Sequence, residues 1–313
     1  MHSRTPYSRL VRFHPYIFGR LLGEDISPEV KIGEPVDPTI DIGQVMYQGF
    51  PGDPTIKINV YSGSSILSPG QPTGEQLTLG QLLAPLSQSE VGTIRCIGLN
   101  YVEHAKEAGL DLPTVPTLFM KPATALAGPC PQPTIIPRSF VADDAADWEA
   151  EVAVIIGQSC KNVPESQALD YVLGITAAND VSSRKAQFAQ SQWSYSKGFD
   201  GACPLGPAVV PLTAIDELST VKIQAKLNGS VVQQSGLDDL IFGIPKIVSF
   251  LSQGTTLPAG TVILTGTPAG VGWTAKPRRT LQHGDVFSVT LSHGVGSLIN
   301  EIQHEEPDEE LDE

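Results

Sequence analysis

The chain has only four cysteines, Cys96, Cys130, Cys160 and Cys203, and they stand too far apart for a CxxC metal or redox motif. Reduced, buried thiols are expected instead. No apolar run approaches the ~18 residues of a membrane span, and the start lacks the apolar core of a secretory signal. Lysine and arginine are few, 20 against 34 acids, and they form no cluster interleaved with aromatics, so nucleic acid and membrane surfaces are not expected partners. Long helices are also disfavoured, because 26 prolines and 30 glycines demand many turns. An all-helical bundle is excluded on that ground.

The acid that is present is unevenly placed. Of the net charge of −14, seven units come from residues 305–313, which read as a solvated, disordered tail. At the other end Arg4, Arg9, Arg12 and Arg20 precede the first acid, Glu24, a composition shared with mitochondrial presequences. Residues 7–13 read equally as an alternating first strand. The cytoplasm is the expected compartment, with the mitochondrion as the alternative.

Short strands and turns fill the first sixty residues, with a reversal at Pro51-Gly52-Asp53. A polar stretch, Ser68 to Gly74, interrupts them, and a connecting segment holding Leu79 to Leu86 follows. The expected organisation is a small β domain over 1–80, a larger β-rich domain over 81–304 and the tail. Helices are expected at 164–171 and 244–252, where Ile244, Ile247, Val248 and Leu251 share a face.

The most informative segment is Asp147-Trp148-Glu149-Ala150-Glu151-Val152-Ala153-Val154-Ile155-Ile156-Gly157. As a strand it places Trp148, Ala150, Val152, Val154 and Ile156 on one face and Asp147, Glu149 and Glu151 on the other. Two glutamates at i and i+2 can converge on one hard cation. A solvent-facing edge strand bearing acids fits the same pattern. A third carboxylate, Asp180, follows the apolar run 171–178 and could equally cap a turn. Three oxygen donors suit Mg²⁺ or Mn²⁺ and do not suit zinc. His104 and Glu107 stand three apart, on one face if the segment is helical; a surface ion pair and a carboxylate-oriented base both fit.

Six ordered motifs carry a resemblance. They are Cys96 to His104 (CIGLNYVEH), Leu118 to Pro122 (LFMKP), Asp147 to Gly157, Asn179 to Arg184 (NDVSSR), Pro204 to Pro207 (PLGP) and Ile263 to Gly272 (ILTGTPAGVG). Together they resemble the fumarylacetoacetate hydrolase superfamily, most closely its domain-containing branch of acylpyruvate hydrolases, oxaloacetate decarboxylases and oxaloacetate tautomerases. The resemblance implies an α+β, mainly β fold, a mixed β-sandwich roll behind a smaller N-terminal domain. It implies a divalent metal on Glu149, Glu151 and Asp180, with His104 as general base, Glu107 as its partner and Lys197 as a substrate-facing catalytic lysine. Lys121, Arg184, Gln187, Gly266 and Thr267 are implied substrate contacts, with Lys121 alternatively an internal ion-pair partner. The implied substrate is a small 2-oxo or 2,4-dioxo acid, the leading reaction C–C bond hydrolysis, with oxaloacetate tautomerisation or decarboxylation as the alternative and a catalytically silent metabolite-binding relative as a third reading. A homodimer is implied as well. Lys185 and the segment Gly198 to Ala202 depart from the family pattern, which bears on specificity and leaves the metal motif intact.

Overall fold

Apolar residues alternate through the first strands, and in this computed structural model they close on themselves. Residues 7–17, 29–49 and 55–306 are described. Strands β1 (Val11–Pro15), β2 (Lys31–Pro35), β3 (Lys57–Tyr61) and β4 (Pro72–Leu82) form a closed antiparallel barrel. Helix α1 (Ile42–Gly49) contributes Ile42 and Met46 to the same core as Val11, Phe13, Ile58, Val60, Leu79 and Leu82. Closure removes the unpaired strand edges that a four-stranded sheet would otherwise expose.

Two expectations change here. The start of the expected connecting segment, Leu79 to Leu82, is instead the end of β4, which begins at Pro72 inside the polar stretch; the strand's exposed first half is polar because it faces water, while its second half turns into the barrel core. The expected first strand at 7–13 starts instead at Val11, and Leu10 pairs with Val209 of the larger unit. Arg9 and Arg12 therefore serve this fold: Arg9 is buried and donates to the carbonyls of Asp37, Ile40 and Gly294. Arg4, Arg20, the reversal at 51–53 and the tail beyond Glu306 lie outside the described residues.

The rest of the chain supplies β5 (Ile94–Gly98), β6 (Thr117–Lys121), β7 (Leu126–Ala127), β8 (Thr134–Ile136), β9 (Ala146–Asp147), β10 (Ala150–Ile156), β11 (Val172–Asn179), β12 (Ser182–Ser183) and β13 (Cys203–Pro211). These are followed by β14 (Lys222–Leu227), β15 (Ser230–Gly236), β16 (Val262–Leu264), β17 (Val286–Leu291) and β18 (Gly296–His304). Seven of them form a mixed sheet in the order β6-β5-β16-β10-β11-β13-β7, and five form a second sheet, β15-β14-β17-β18-β8. One large core joins the two, with Val152, Val154, Ile175, Val289 and Leu298 among its members. The helices are short: α2 (Gln88–Val91), α3 (Val102–Ala108), α4 (Arg138–Val141), α5 (Arg184–Phe188), α6 (Ser194–Lys197) and α7 (Ile244–Ser252). The helix at 244–252 is as expected, with Ile244, Ile247, Val248 and Leu251 buried. The segment Glu165–Tyr171 winds as a tighter 3₁₀ helix.

The position of β10 decides between the two readings of its acids. It is the middle strand of seven, and all of its residues are buried. A solvent-facing acidic edge is thereby ruled out. The parity expectation holds only in part, because the strand is broken at Trp148-Glu149 between β9 and β10. Side-chain amides replace the ladder there: the Glu149 N–H donates to Asn179 Oδ1 and the Ala150 N–H to Gln233 Oε1.

Candidate active site

Antiparallel pairing of β10 with β11 sets Glu151 opposite Ala178 and leaves Asp180 just past the end of β11, where its N–H donates to the Glu149 carbonyl. Carboxylate oxygens of Glu149, Glu151 and Asp180 consequently lie within 4.8 Å of one another. All three residues are buried. Such a group of like charges persists only if cations lie among them.

Three cations do. Lys197, at the end of α6, donates to Asp180 Oδ2 and Ser182 Oγ at 2.7 Å and lies 2.9 Å from Glu149 Oε2. Lys121, at the end of β6, sits 2.6 Å from Asp180 Oδ1, with its directed bonds going to the carbonyls of Ala202 and Val181. Arg184, opening α5, binds Asp147 through Nε and both Glu149 Oε1 and Gln187 Oε1 through Nη1. Its Nη2 is buried without a hydrogen-bond partner. Burial works against the charge of Lys197 and Arg184, yet the facing carboxylates outweigh it and hold both protonated.

The acids do not share these cations equally. Burial opposes ionisation of Glu149, but Lys197 and Arg184 prevail and hold its carboxyl well below the usual range. Burial, then the charges of Asp180 and Glu149, push Glu151 well above it. Four buried carboxylates, counting Asp147, face three buried cations. The acids outnumber the cations by one, and Glu151 is the acid on which a negative charge is least favoured. Asp180 Oδ1 also receives no directed hydrogen bond.

A divalent cation fits this cluster. Carboxylate oxygens are the donors that Mg²⁺ and Mn²⁺ prefer, and Glu149, Glu151 and Asp180 would hold the ion. Two positive charges turn the surplus negative charge into a single positive one, which a monoanionic ligand then neutralises. Glu151 is aimed by the 264–272 loop: the Gly266 N–H donates to Glu151 Oε2 at 2.5 Å. Gly266 holds φ +99°, and a Cβ there would press on Asn100 at 2.8 Å, so only glycine presents its N–H in this direction.

Gly266, an expected substrate contact, directs its N–H to the acid. Thr267 lines the cavity, and its hydroxyl donates to the Ala150 carbonyl and accepts from Gln233 Nε2. Of the two readings of Lys121 the internal ion pair is the one observed: it is wholly buried. Arg184, Gln187, Lys197, Glu149, His104 and Thr267 all line one cavity of about 750 Å³, mouth included.

His104 and Glu107 lie on α3, and Glu107 Oε2 is 3.1 Å from His104 Nδ1. Glu107 also accepts the Gly270 N–H. Partial burial works against its charge, but the bonds from His104, Gly270 and Thr274 outweigh it and lower its pKa. With Nδ1 engaged, Nε2 is the nitrogen left for a proton transfer.

Sequence reasoning missed three parts of this site. Asp147 is buried and accepts from the N–H groups of Trp148, Gly272 and Trp273 as well as from Arg184, which ties the loop to the floor. Gln233, on β15, joins Ala150, Thr267 and Pro268. Phe119, Phe188, Trp193 and Trp273 wall the cavity. The acidic parity at Asp147 was a usable signal; an isolated glutamine and four scattered aromatics gave none.

Residues 93–303 match the family model described as "Fumarylacetoacetate (FAA) hydrolase C-terminal". The chain belongs to the fumarylacetoacetate hydrolase family. A caffeoylpyruvate hydrolase of Neonothopanus nambi is 43% identical over 281 residues, 88% of this chain and 89% of that protein. A mitochondrial oxaloacetate tautomerase of Homo sapiens is 36% identical over 222 residues, 70% of this chain and 68% of that protein. Among solved structures, a 2-hydroxyhepta-2,4-diene-1,7-dioate isomerase of Mycobacterium marinum superposes with a TM-score of 0.75 at 29% identity, covering 96% of this chain and all of that one. These family relatives are enzymes, and the mainly β fold expected from the motifs is the one observed.

Proposed function

We propose that this family member is a Mg²⁺- or Mn²⁺-dependent hydrolase that cleaves the C–C bond of an acylpyruvate, a 2,4-dioxo acid. The observation that carries the reading is that one cavity is lined both by Glu149, a member of a three-carboxylate cluster suited to a divalent ion, and by His104, whose ring Glu107 holds. Likeness to the caffeoylpyruvate hydrolase, extending over most of both chains, supports it.

When bound, the ion would supply a Lewis acid to the keto and carboxylate oxygens of the 2-oxo acid. The chain's own groups do the rest. Arg184, through the unpartnered Nη2, and Gln187 orient the substrate carboxylate. His104 Nε2 takes a proton from water while Glu107 holds the ring, and the hydroxide formed adds to the C4 carbonyl carbon. The C3–C4 bond breaks with its electron pair going to C3, and Lys197 faces the developing negative charge. Return of the proton to C3 yields pyruvate and a carboxylic acid.

A second reading is oxaloacetate tautomerisation or decarboxylation, favoured by the likeness to the human tautomerase. The pair of readings is separated by ultraviolet assays on acylpyruvates and on enol-oxaloacetate, with Mg²⁺, with Mn²⁺ and with chelator. Metal-dependent loss of acylpyruvate absorbance is expected; turnover of oxaloacetate alone would give the second reading, and turnover of neither a silent, metabolite-binding relative. A homodimer remains the expectation from the family resemblance, and a sedimentation measurement checks it. No helix among the described residues is long and apolar enough to cross a membrane.

A further inference from the structure

The cavity changes character from floor to mouth. Its charged members, Glu149, Arg184 and Lys197, are 7%, 6% and 1% exposed, whereas Leu110 and Phe188 are 57% and 66% exposed. The acids and cations therefore lie at the bottom, and the opening is apolar. Phe188 rests against Trp273 with ring centroids 5.6 Å apart, and Trp193 meets Phe119 edge-on at 5.4 Å. An exposed phenylalanine beside a half-buried tryptophan leaves apolar surface in water that a ligand ring would cover.

Trp193 reaches the cavity because Gly98 lacks a side chain. A Cβ on Gly98 would stand 2.5 Å from the Trp193 ring. Phe119 in turn lies under the Lys197 ammonium, 5.0 Å from ring centroid to Nζ, so the aromatic wall begins where the charged floor stops. Among the residues lining the cavity, Arg184 and Lys197 are the cations, and both are tied to Glu149. Just outside the lining, the Arg278 guanidinium stacks 4.5 Å from the Trp273 ring centroid and lies 3.8 Å from Asp144. A second carboxylate on the substrate would lie among apolar side chains and would have to compete with Asp144 for Arg278.

We propose that the outer half of the cavity is an aryl subsite, in which Trp193 and the Phe188–Trp273 pair take a flat ring carried on C4 of the substrate, and that it discriminates against dicarboxylic acids. The inference deepens the hydrolase reading and rests on it. Phe188, Trp193 and Gly98 are its specificity-determining residues.

The test compares kcat/KM for three 2,4-dioxo acids that differ at C4: 2,4-dioxopentanoate, 2,4-dioxo-4-phenylbutanoate and 2,4-dioxohexanedioate. The phenyl compound should exceed the methyl compound at least about tenfold, as burial of a ring predicts, and the dicarboxylate should fall below both. F188A, W193A and G98A should each lower the phenyl-to-methyl ratio, with W193F restoring part of it. Phe188 is largely exposed, so F188A keeps the fold and the ratio stays interpretable. Equal kcat/KM for phenyl and methyl compounds, or a ratio unmoved by F188A and W193A, would overturn the subsite while leaving the hydrolase reading standing. If none of the three turns over, the hydrolase reading fails, and calorimetry with phenylpyruvate and pyruvate decides the subsite separately. Tighter phenylpyruvate binding that weakens in W193A supports it; equal binding of the two removes it.

Discussion

The β1–β4 barrel and the floor of the seven-stranded sheet bury their interiors by opposite means. The barrel core is apolar, with Val11, Phe13, Ile42, Ile56, Ile58, Val60, Leu79 and Leu82, and the buried Arg9 beside it donates to three backbone carbonyls, its Nε alone left without a partner. The floor buries seven ionisable side chains, four acids and three cations, and packs them against one another. Apolar burial is non-directional and stabilises at about 25 cal/mol per Å², while buried ion pairs at best offset their own desolvation. In the barrel the side chains hold the fold. In the floor the fold holds the side chains, three of them against their mutual repulsion, and that arrangement makes sense only for a ligand.

Glu151→Gln tests this contrast most severely. It removes one of three proposed metal ligands, and turnover of a 2,4-dioxo acid should fall about 10³-fold or more, the several kcal/mol that a Lewis acid supplies. Metal-free protein should nevertheless melt higher than the parent in chelator, because the variant no longer buries an acid whose charge the fold disfavours. A lower melting temperature would make Glu151 a structural acid and erase the distinction from the barrel. His104→Ala should reduce turnover by about 10²- to 10³-fold, the range of general acid–base catalysis. Mg²⁺ binding measured by calorimetry should survive it, since α3 contributes no proposed ligand. Ile58→Ala is the converse experiment. Truncation in the closed barrel should cost about 2–5 kcal/mol in urea unfolding, with kcat/KM per folded molecule unchanged. A several-fold loss of kcat/KM would show that the barrel, through the Leu10–Val209 ladder, also shapes the site.

The contrast also explains what the sequence disclosed. Glu149 and Glu151 stood out because two acids in an otherwise apolar central strand are costly enough to be conspicuous, and Asp180 because it ends an apolar run. The helix at 244–252 was legible from its 3.6-residue period. Their cationic partners, Lys121, Arg184 and Lys197, were named only through the family resemblance, because they come from three separate elements and nothing local distinguishes a buried lysine from an exposed one. The partners of Gly266 and Thr267 were illegible for a related reason: a glycine-rich turn advertises free N–H groups, and only the fold shows that Glu151 and the Ala150 carbonyl accept from these two residues. The polar start of β4 concealed a strand because hydrogen bonding to β3, invisible in composition, holds it in the barrel.

Glu107 belongs to neither regime, and its substitution should give the smallest effect. Its carboxylate is partly exposed on α3 and accepts from His104 Nδ1 and the Gly270 N–H. Partial burial opposes its charge, but these donors lower its pKa in the folded protein. A group whose folded pKa is depressed adds stability that is fully present above its unfolded value, about 4.3, and is lost as pH falls through the folded value. Glu107→Gln keeps the shape and an acceptor for Gly270 but removes the charge. At pH 7 it should cost about 0.5–1.5 kcal/mol in urea unfolding, the scale of one charge-assisted hydrogen bond near solvent. Below pH 4 the gap between variant and parent should narrow as the parent's own carboxyl takes a proton. Comparing the two proteins at each pH cancels the other acids, which titrate alike in both. A gap that stayed constant across that window would mean that Glu107 acts through shape, and the charge assigned to the His104 pair would have to come from elsewhere.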